Sequence, residues 1–336
     1  MRKLLIAVML LAAASISAVP FTDSLGRTVD LPERIERIVP SGNLAQMVLY
    51  SLAPDRIAGW SSKLSGSAEE YFIQDTVNLP VFGTFYGKKA NLNKEALMAA
   101  FPDVVIDMGE IKGSREAMIS DLDKLSGDIM IPVIFIEAYL DNTPDVYRTA
   151  GKLLGMEDRA EALALFAEDA IEMAAKARER IADPVTVYYS TSPDGLEAIA
   201  EGNFHGEVIE KIGAKNIVPS SFGESGGSIS MEQLYIWNPE VILFQEEEAY
   251  RHALESPEWQ VLDAVANGNV YLIPSEPYSF IDAPPATNRI IGIYWLGNLL
   301  YPELYPVDVI QKTIEYYSLY YSYDLTEEHA KEILHI

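Results

Sequence analysis

Few residues of this chain invite a chemical reading, and most of those that do suit binding better than catalysis. The run Gly223-Glu224-Ser225-Gly226-Gly227 satisfies G-x-S-x-G, the pattern of a serine nucleophile on a sharp strand-to-helix turn. Pro219-Ser220-Ser221-Phe222 before it and Ser228-Ile229-Ser230 after it both read as loop. A secreted hydrolase using Ser225 is therefore the poorer account of the motif. GTFYGKK (83–89) lacks the spacing and the Ser/Thr of a phosphate-cradling loop. Its Tyr86 and Lys88 suit a flat or anionic ligand, although lysines are more often simply solvated. The stiff loop PYSFIDAPPATNR (277–289) carries Tyr278, Asp282 and Arg289. A guanidinium is the natural partner of a carboxylate or oxyanion, and a helix-end salt bridge is the competing use for Arg289.

These residues need elements to position them. Apolar β-rich runs alternate with helical patterns, which predicts α/β layers with largely parallel sheets. Strands are expected at 34–40, 56–60, 80–83, 103–108 and 132–138, then at 185–190, 196–202, 216–220, 240–245 and 269–274. Helical patterns at 44–52, 94–101, 114–125, 146–154, 207–212 and 231–237 fill the gaps. Between the two sets, residues 156–182 contain no Gly or Pro and are dense in Ala, Glu, Leu and Arg, the best helix formers. Leu163, Phe166, Ala170, Met173 and Ala174 recur there at helical spacing, and Asp183-Pro184 ends the run. The expectation is a helix on the order of 36 Å long joining two lobes.

In open α/β sheets ligands gather outside the carboxyl ends of the strands. That rule selects the loops 41–43, 60–62, 84–89, 109–110 and 138–139 in the first half, and 190–191, 203–205, 245–246 and 278–289 in the second. The expected ligand contacts are Ser41, Asn43, Trp60, Tyr86, Lys88, Glu110, His205, Tyr278, Asp282 and Arg289. Trp60 either stacks on a ligand or plugs the lobe. Of 4 histidines, only His205 falls on such a loop, where it is a candidate open metal ligand beside a plainer hydrogen-bonding role. A receptor for a bare transition-metal ion assembles several His and carboxylate ligands, so any metal should arrive already chelated.

One phrase occurs twice. NLNKEALMAAFPDVVID (91–107) and SISMEQLYIWNPEVILF (228–244) share E-x-L-x(4)-P-[DE]-V-[VI]-[IL]. Asn93 and Ser230 precede the shared glutamates as N-caps, and each glutamate suits the positive end of its helix. Two copies in two α/β halves place Glu95 and Glu232 at the same corner of related lobes. A two-lobed binder pressed onto a pseudo-symmetric partner needs that arrangement.

Bulk properties set limits. The 336 residues are 49% apolar, ample for two domains. MRKLLIAVMLLAAASISAVP has the basic start, short apolar stretch and small residues of an export signal. With no cysteine, disulfides, thiolate metal sites and lipid attachment through a cysteine are excluded. The formal net charge of −25 disfavours a nucleic-acid partner and is otherwise a solubility device. A confined compartment, the periplasm, fits an exported chain without an anchor.

The phrase FTDSLGRTVDLPERIERIVPSGN (21–43) resembles the opening of periplasmic receptors of ABC importers for iron–siderophore, haem and cobalamin. Asp23, Gly26, Arg27, Val29, Pro32 and Arg37–Val39 match the D-x-x-G-R-x-V and P-x-R-I-V phrases of that family. GKLLG (151–155), EAIAEGNFHGEVIEKIGAKNI (197–217) and the tail YYSLYYSYDLTEEHAKEIL follow in the family's order, so the resemblance covers the mature chain. It implies two Rossmann-like α/β lobes joined by one long helix, with a ligand cleft between them. The resulting division is a signal peptide at 1–19, an N-terminal lobe at 20–154, a backbone helix at 155–182 and a C-terminal lobe at 183–336. The resemblance further implies a monomer without intrinsic cofactor or catalysis. Its cargo would be a metal chelate, with a bare oxyanion such as molybdate as the alternative. Glu95 and Glu232 would dock it onto the permease dimer, consistent with the strength of carboxylate–arginine pairs.

Overall fold

The computed structural model describes residues 18–64, 66–85, 90–223 and 226–336; Tyr86, Lys88, Ser225 and most of the expected signal peptide lie outside these. The described residues open with the antiparallel hairpin β1 (Ala18–Thr22) and β2 (Thr28–Pro32). Its turn explains the D-x-x-G-R phrase. The buried Asp23 carboxylate accepts from the Leu25 and Arg27 amides and from the Arg27 guanidinium. Gly26 supplies a left-handed φ of 81°, and Arg27 also donates to the Val133 carbonyl. The hairpin is thereby fastened to the first lobe.

That lobe is built on a parallel sheet ordered β3 (Ile38–Pro40), β4 (Val104–Gly109), β5 (Val133–Glu137). Around it stand α1 (Asn43–Leu52), the one-turn α2 (Ala68–Tyr71) and α3 (Gln74–Val77), α4 (Lys94–Ala99), α5 (Arg115–Ile129) and α6 (Thr143–Leu154). The expected strands 56–60 and 80–83 shrink to single bridges, Ile38 to Ile57 and Trp60 to Val81. Close approach at Gly59 accounts for this segment's backbone: a Cβ there would meet the Phe82 ring at 2.3 Å and the Pro80 carbonyl at 2.6 Å.

The second lobe repeats the plan. Its parallel strands are β6 (Thr186–Ser190), β10 (Val241–Phe244) and β11 (Val270–Leu272), with β8 (Lys215–Asn216) on the other side of β6. β10 is flanked by β6 and β11 as β4 is by β3 and β5, so each copy of the repeated phrase feeds an interior strand of its sheet. The expected strand 196–202 pairs only at β7 (Glu197–Ala198), antiparallel to β6 and to β9 (Gly227–Ser228). α8 (Glu207–Lys211), α9 (Met231–Trp237), α10 (Glu247–Glu255), α11 (Asp263–Ala266) and α12 (Asn288–Leu300) complete the lobe.

The long helix α7 (Glu157–Arg178) is somewhat shorter than the expected run. Gly155, left-handed at φ 62°, ends α6, and a Cβ on Gly151 would lie 2.2 Å from that of Ala160. GKLLG is thus the tight corner that lets α6 lie against α7. The α7 stripe is mainly alanine with Leu163 and Phe166; Met173 is only half-buried. The alanines let neighbouring helices approach closely.

A second connection joins the lobes. α13 (Val309–Tyr321) and α14 (Glu327–Ile333) carry the tyrosine-rich tail. Tyr316, Tyr317, Tyr320 and Tyr321 are buried against Tyr50 of α1, Phe166 of α7 and one another. The Tyr50 hydroxyl donates to the Tyr321 carbonyl at 3.2 Å, and Tyr71 of the first lobe donates to Glu276 Oε2 of the second at 2.6 Å. These four tyrosines belong to the core.

Candidate functional site

The carboxyl ends of β3, β4 and β5 face the 204–207 and 285–289 segments of the second lobe across a cavity of about 400 Å³. The first lobe contributes Ser41 through Leu44, Thr84, Asp107 through Lys112, Ala138 and Tyr139, and the second Phe204, Glu207, Pro285 and Arg289. Tyr139 and Phe204 are exposed aromatics on opposite walls. A smaller cavity of about 270 Å³ shares Asn43 and adds Gln46, Ser62, Lys63, Tyr278 and Pro284. A larger one, about 530 Å³, lies between β11 and α14 and is lined by the second half of the chain. The interlobe cavity is the better candidate because it gathers strand-end loops from both lobes, where α/β sheets bind ligands.

Local sequence explains how its groups are held. α1 begins at the cavity behind Gly42, which is extended and gives the helix no side-chain cap. The Ser41 hydroxyl donates to Asp107 Oδ1 on the cavity floor. Burial pushes the Asp107 carboxyl up from its ordinary value, opposed by the Ser41 bond and by the charges of Lys112 and Arg27. Arg289, in the first turn of α12, is buried and donates to Glu207 Oε2 at 2.5 Å. Burial raises the Glu207 carboxyl despite Arg289, and lowers Arg289 despite Glu207 and Asp282. Beside them, His205 Nδ1 lies 2.6 Å from Asp282 Oδ1, and Asn203 accepts from the His205 amide.

Sequence and structure comparisons agree on the family. The family model described as periplasmic binding protein matches residues 46–277. The chain belongs to the periplasmic binding protein family. An ABC transporter solute binding protein from Sulfurospirillum deleyianum is 28% identical, with a TM-score of 0.83 over 94% of this chain and 99% of that one. A periplasmic solute binding protein from Veillonella parvula is 22% identical, with a TM-score of 0.78 over 95% and 98%. The molybdate-bound MolA of Haemophilus influenzae is also 22% identical, with a TM-score of 0.70 over 92% and 99%. No curated protein sequence matches the chain. Among the described residues no helix is long and apolar enough to cross a membrane.

On this periplasmic-binding-protein frame, Ser41, Asn43, Glu110 and Arg289 come together at the interlobe cavity, and Tyr278 lines the smaller one. Trp60 is corrected: it is 1% exposed, donates from Nε1 to the Thr76 carbonyl and packs against Tyr50 and Phe72. It fills the lobe and lines neither of the two cavities. Asp282 lines neither of these cavities; it is buried and engages His205. His205 stands next to the lining residue Phe204, and no group of three or more metal-ligating side chains occurs among the described residues. The flanks of Ser225 are a 3-10 turn (Ser220–Phe222) and β9, the wrong context for a nucleophile elbow.

Sequence reasoning missed Asp107 and Glu207 as lining residues. Asp107 had a signal, as the lone charge in the apolar run VVIDM; Glu207 had none, because its partner is 82 residues away. Glu95 and Glu232 are exposed in the first turns of α4 and α9. Asn93 accepts from the Ala96 amide and Ser230 from the Gln233 amide, as the capping patterns require. Backbone and Ser230 hydrogen bonds hold the Glu232 carboxyl below its usual value.

Proposed function

We propose that this protein is the extracytoplasmic receptor of an ABC importer and carries a chelated metal between its lobes. On this reading residues 1–19 direct export, 20–154 and 183–336 are the two lobes, and 155–182 is the backbone between them. The observation that carries the cargo assignment is the two-walled cavity. Its volume of about 400 Å³ falls within the range of organic-ligand sites, about 300–1,000 Å³. Tyr139 and Phe204 offer apolar faces from opposite lobes to a flat or aromatic chelate. His205, oriented by Asp282, is the candidate for an open position on the chelated metal.

One observation favours the oxyanion alternative. The uncapped start of α1 opens on the cavity, and helix starts attract anions. Against it, Glu207 answers the charge of Arg289, while Asp107 and Glu110 add carboxylates from the facing wall. The absorbance spectrum and native mass of the purified protein, followed by titration with haem, a ferric siderophore, cobalamin and molybdate, test the cargo. Saturable binding of one chelate and none of molybdate is expected; binding of molybdate alone would replace the chelate reading. Docking is assigned to Glu95 and Glu232, on corresponding helices of the two lobes. Glu95→Ala with Glu232→Ala should spare ligand affinity and abolish uptake, and undiminished uptake removes that assignment.

A further inference from the structure

The five most exposed large apolar side chains among the described residues are Met130 (84%), Phe101 (81%), Ile236 (76%), Ile336 (71%) and Val261 (66%). Ile336 is the last residue; the other four fall into two pairs, one per lobe. Phe101 and Met130 precede β4 and β5, which run side by side with Val105 opposite Val133. An ion pair from Lys94 to Asp128 at 2.7 Å joins the two helices that deliver them. Ile236 precedes β10, and Val261 lies in the segment leading through α11 to its neighbour β11. The Tyr235 hydroxyl donates to the Glu258 carbonyl, and Asn238 Nδ2 donates to Asp263 Oδ2, fastening these two segments together. Each lobe therefore presents two exposed apolar groups on the segments that lead into adjacent strands of its sheet.

Neither burial nor backbone preference explains the first pair. Phe101 (φ 48°) and Met130 (φ 56°) both occupy the left-handed region at helix ends, where glycine or asparagine is preferred. In the second copy of the repeated phrase the residue in register with Phe101 is Asn238 (φ 40°), the comfortable choice. Large apolar side chains held in an unfavourable conformation and left in water point to a partner that covers them.

We infer that Phe101 with Met130, and Ile236 with Val261, are two apolar anchors for the importer's permease dimer. The inference rests on the docking role of Glu95 and Glu232. Matched pairs on two lobes call for a partner with two equivalent halves. One residue of each anchor lies toward the far end of the short helix that starts with a docking glutamate, about 9 Å along the axis for Phe101 and about 6 Å for Ile236. One footprint per lobe thus joins an acidic group to an apolar patch, and the permease half opposite should offer a basic group beside an apolar recess.

The test uses Phe101→Asn with Met130→Asn, Ile236→Gln with Val261→Gln, and all four together, against the cognate permease dimer in nanodiscs. Melting temperature and ligand affinity should not fall, since the altered side chains are exposed. Permease affinity should fall about ten-fold for either pair and about a hundred-fold for both. That loss should persist at high salt, whereas the loss from Glu95→Gln with Glu232→Gln should shrink as salt screens the charged pairs. If the glutamate variants weaken docking and the apolar variants do not, the anchors are refuted and the docking role stands. If neither set matters, the docking role itself fails. A native dimer in sedimentation that the four substitutions convert to monomer, with permease affinity unchanged, would assign these surfaces to a second copy of the chain. Equal binding to lipid-only nanodiscs would assign them to the membrane.

Discussion

Asp107→Asn should make the protein more stable and a poorer receptor. Asp107 is 5% exposed on the cavity floor, and its described side-chain hydrogen bond comes from the Ser41 hydroxyl. Burial dominates its titration and raises the carboxyl from the ordinary value of 3.8. The folded protein therefore resists ionising this group, and the unfolded chain does not. Stability contributed by the neutral carboxyl is complete below the unfolded value and declines as pH rises through the interval up to the folded value. Asparagine keeps the shape, can still accept from Ser41 and carries no charge. Relieving one functional-site conflict of this kind commonly returns about 0.5–2 kcal/mol. In a chain of this length that is a melting-temperature rise of about 1–3 °C at neutral pH. The two proteins should converge below about pH 3, where the wild-type carboxyl is neutral in both states. Differential scanning calorimetry from acid to neutral pH measures the gap, and calorimetric titration of the cargo measures the functional cost. A variant no more stable than wild type at neutral pH, or a gap that ignores pH, would refute the reasoning from burial. Unchanged cargo affinity would show that the carboxylate is not kept for the ligand.

Arg289→Met should destabilise by about 2 kcal/mol in urea unfolding. Breaking a buried pair strands its partner, but the Glu207 side chain is 35% exposed, so water offsets part of the loss. Adding Glu207→Gln should recover most of that loss, and a double-mutant cycle measures the coupling. Trp60→Phe should cost about 1–2 kcal/mol through the lost Thr76 bond and reduced packing. Its cargo affinity should match wild type, and a weakened cargo complex would return Trp60 to the ligand wall. Tyr71→Phe removes a hydroxyl bonded across the lobes to Glu276 and should cost about 1 kcal/mol in the same assay.

What could be read from the sequence were the elements whose causes are local. Asn93 and Ser230 announce α4 and α9 because a cap acts within one turn, and both bonds are present. The alanine-rich run announces α7 because helix propensity adds along the chain. The segments 56–60 and 80–83 looked like strands from composition, yet sheet formation depends on the neighbour offered, and each obtained a single bridge. The site was legible only as a set of loops. Strand ends locate Ser41, Asn43 and Glu110, but whether a side chain on such a loop faces inward is decided by tertiary packing, as Trp60 illustrates. Charge is where reading residues singly misled most. Arg289 alone reads as an anion site, whereas in the fold Glu207 binds it and Asp282 and Glu110 add to the same field. On the receptor reading, a ligand between the lobes would meet the remainder of these opposed charges, with aromatic faces on either side. Such a cavity would distinguish its cargo by shape and net charge together, with no single cation specifying the ligand.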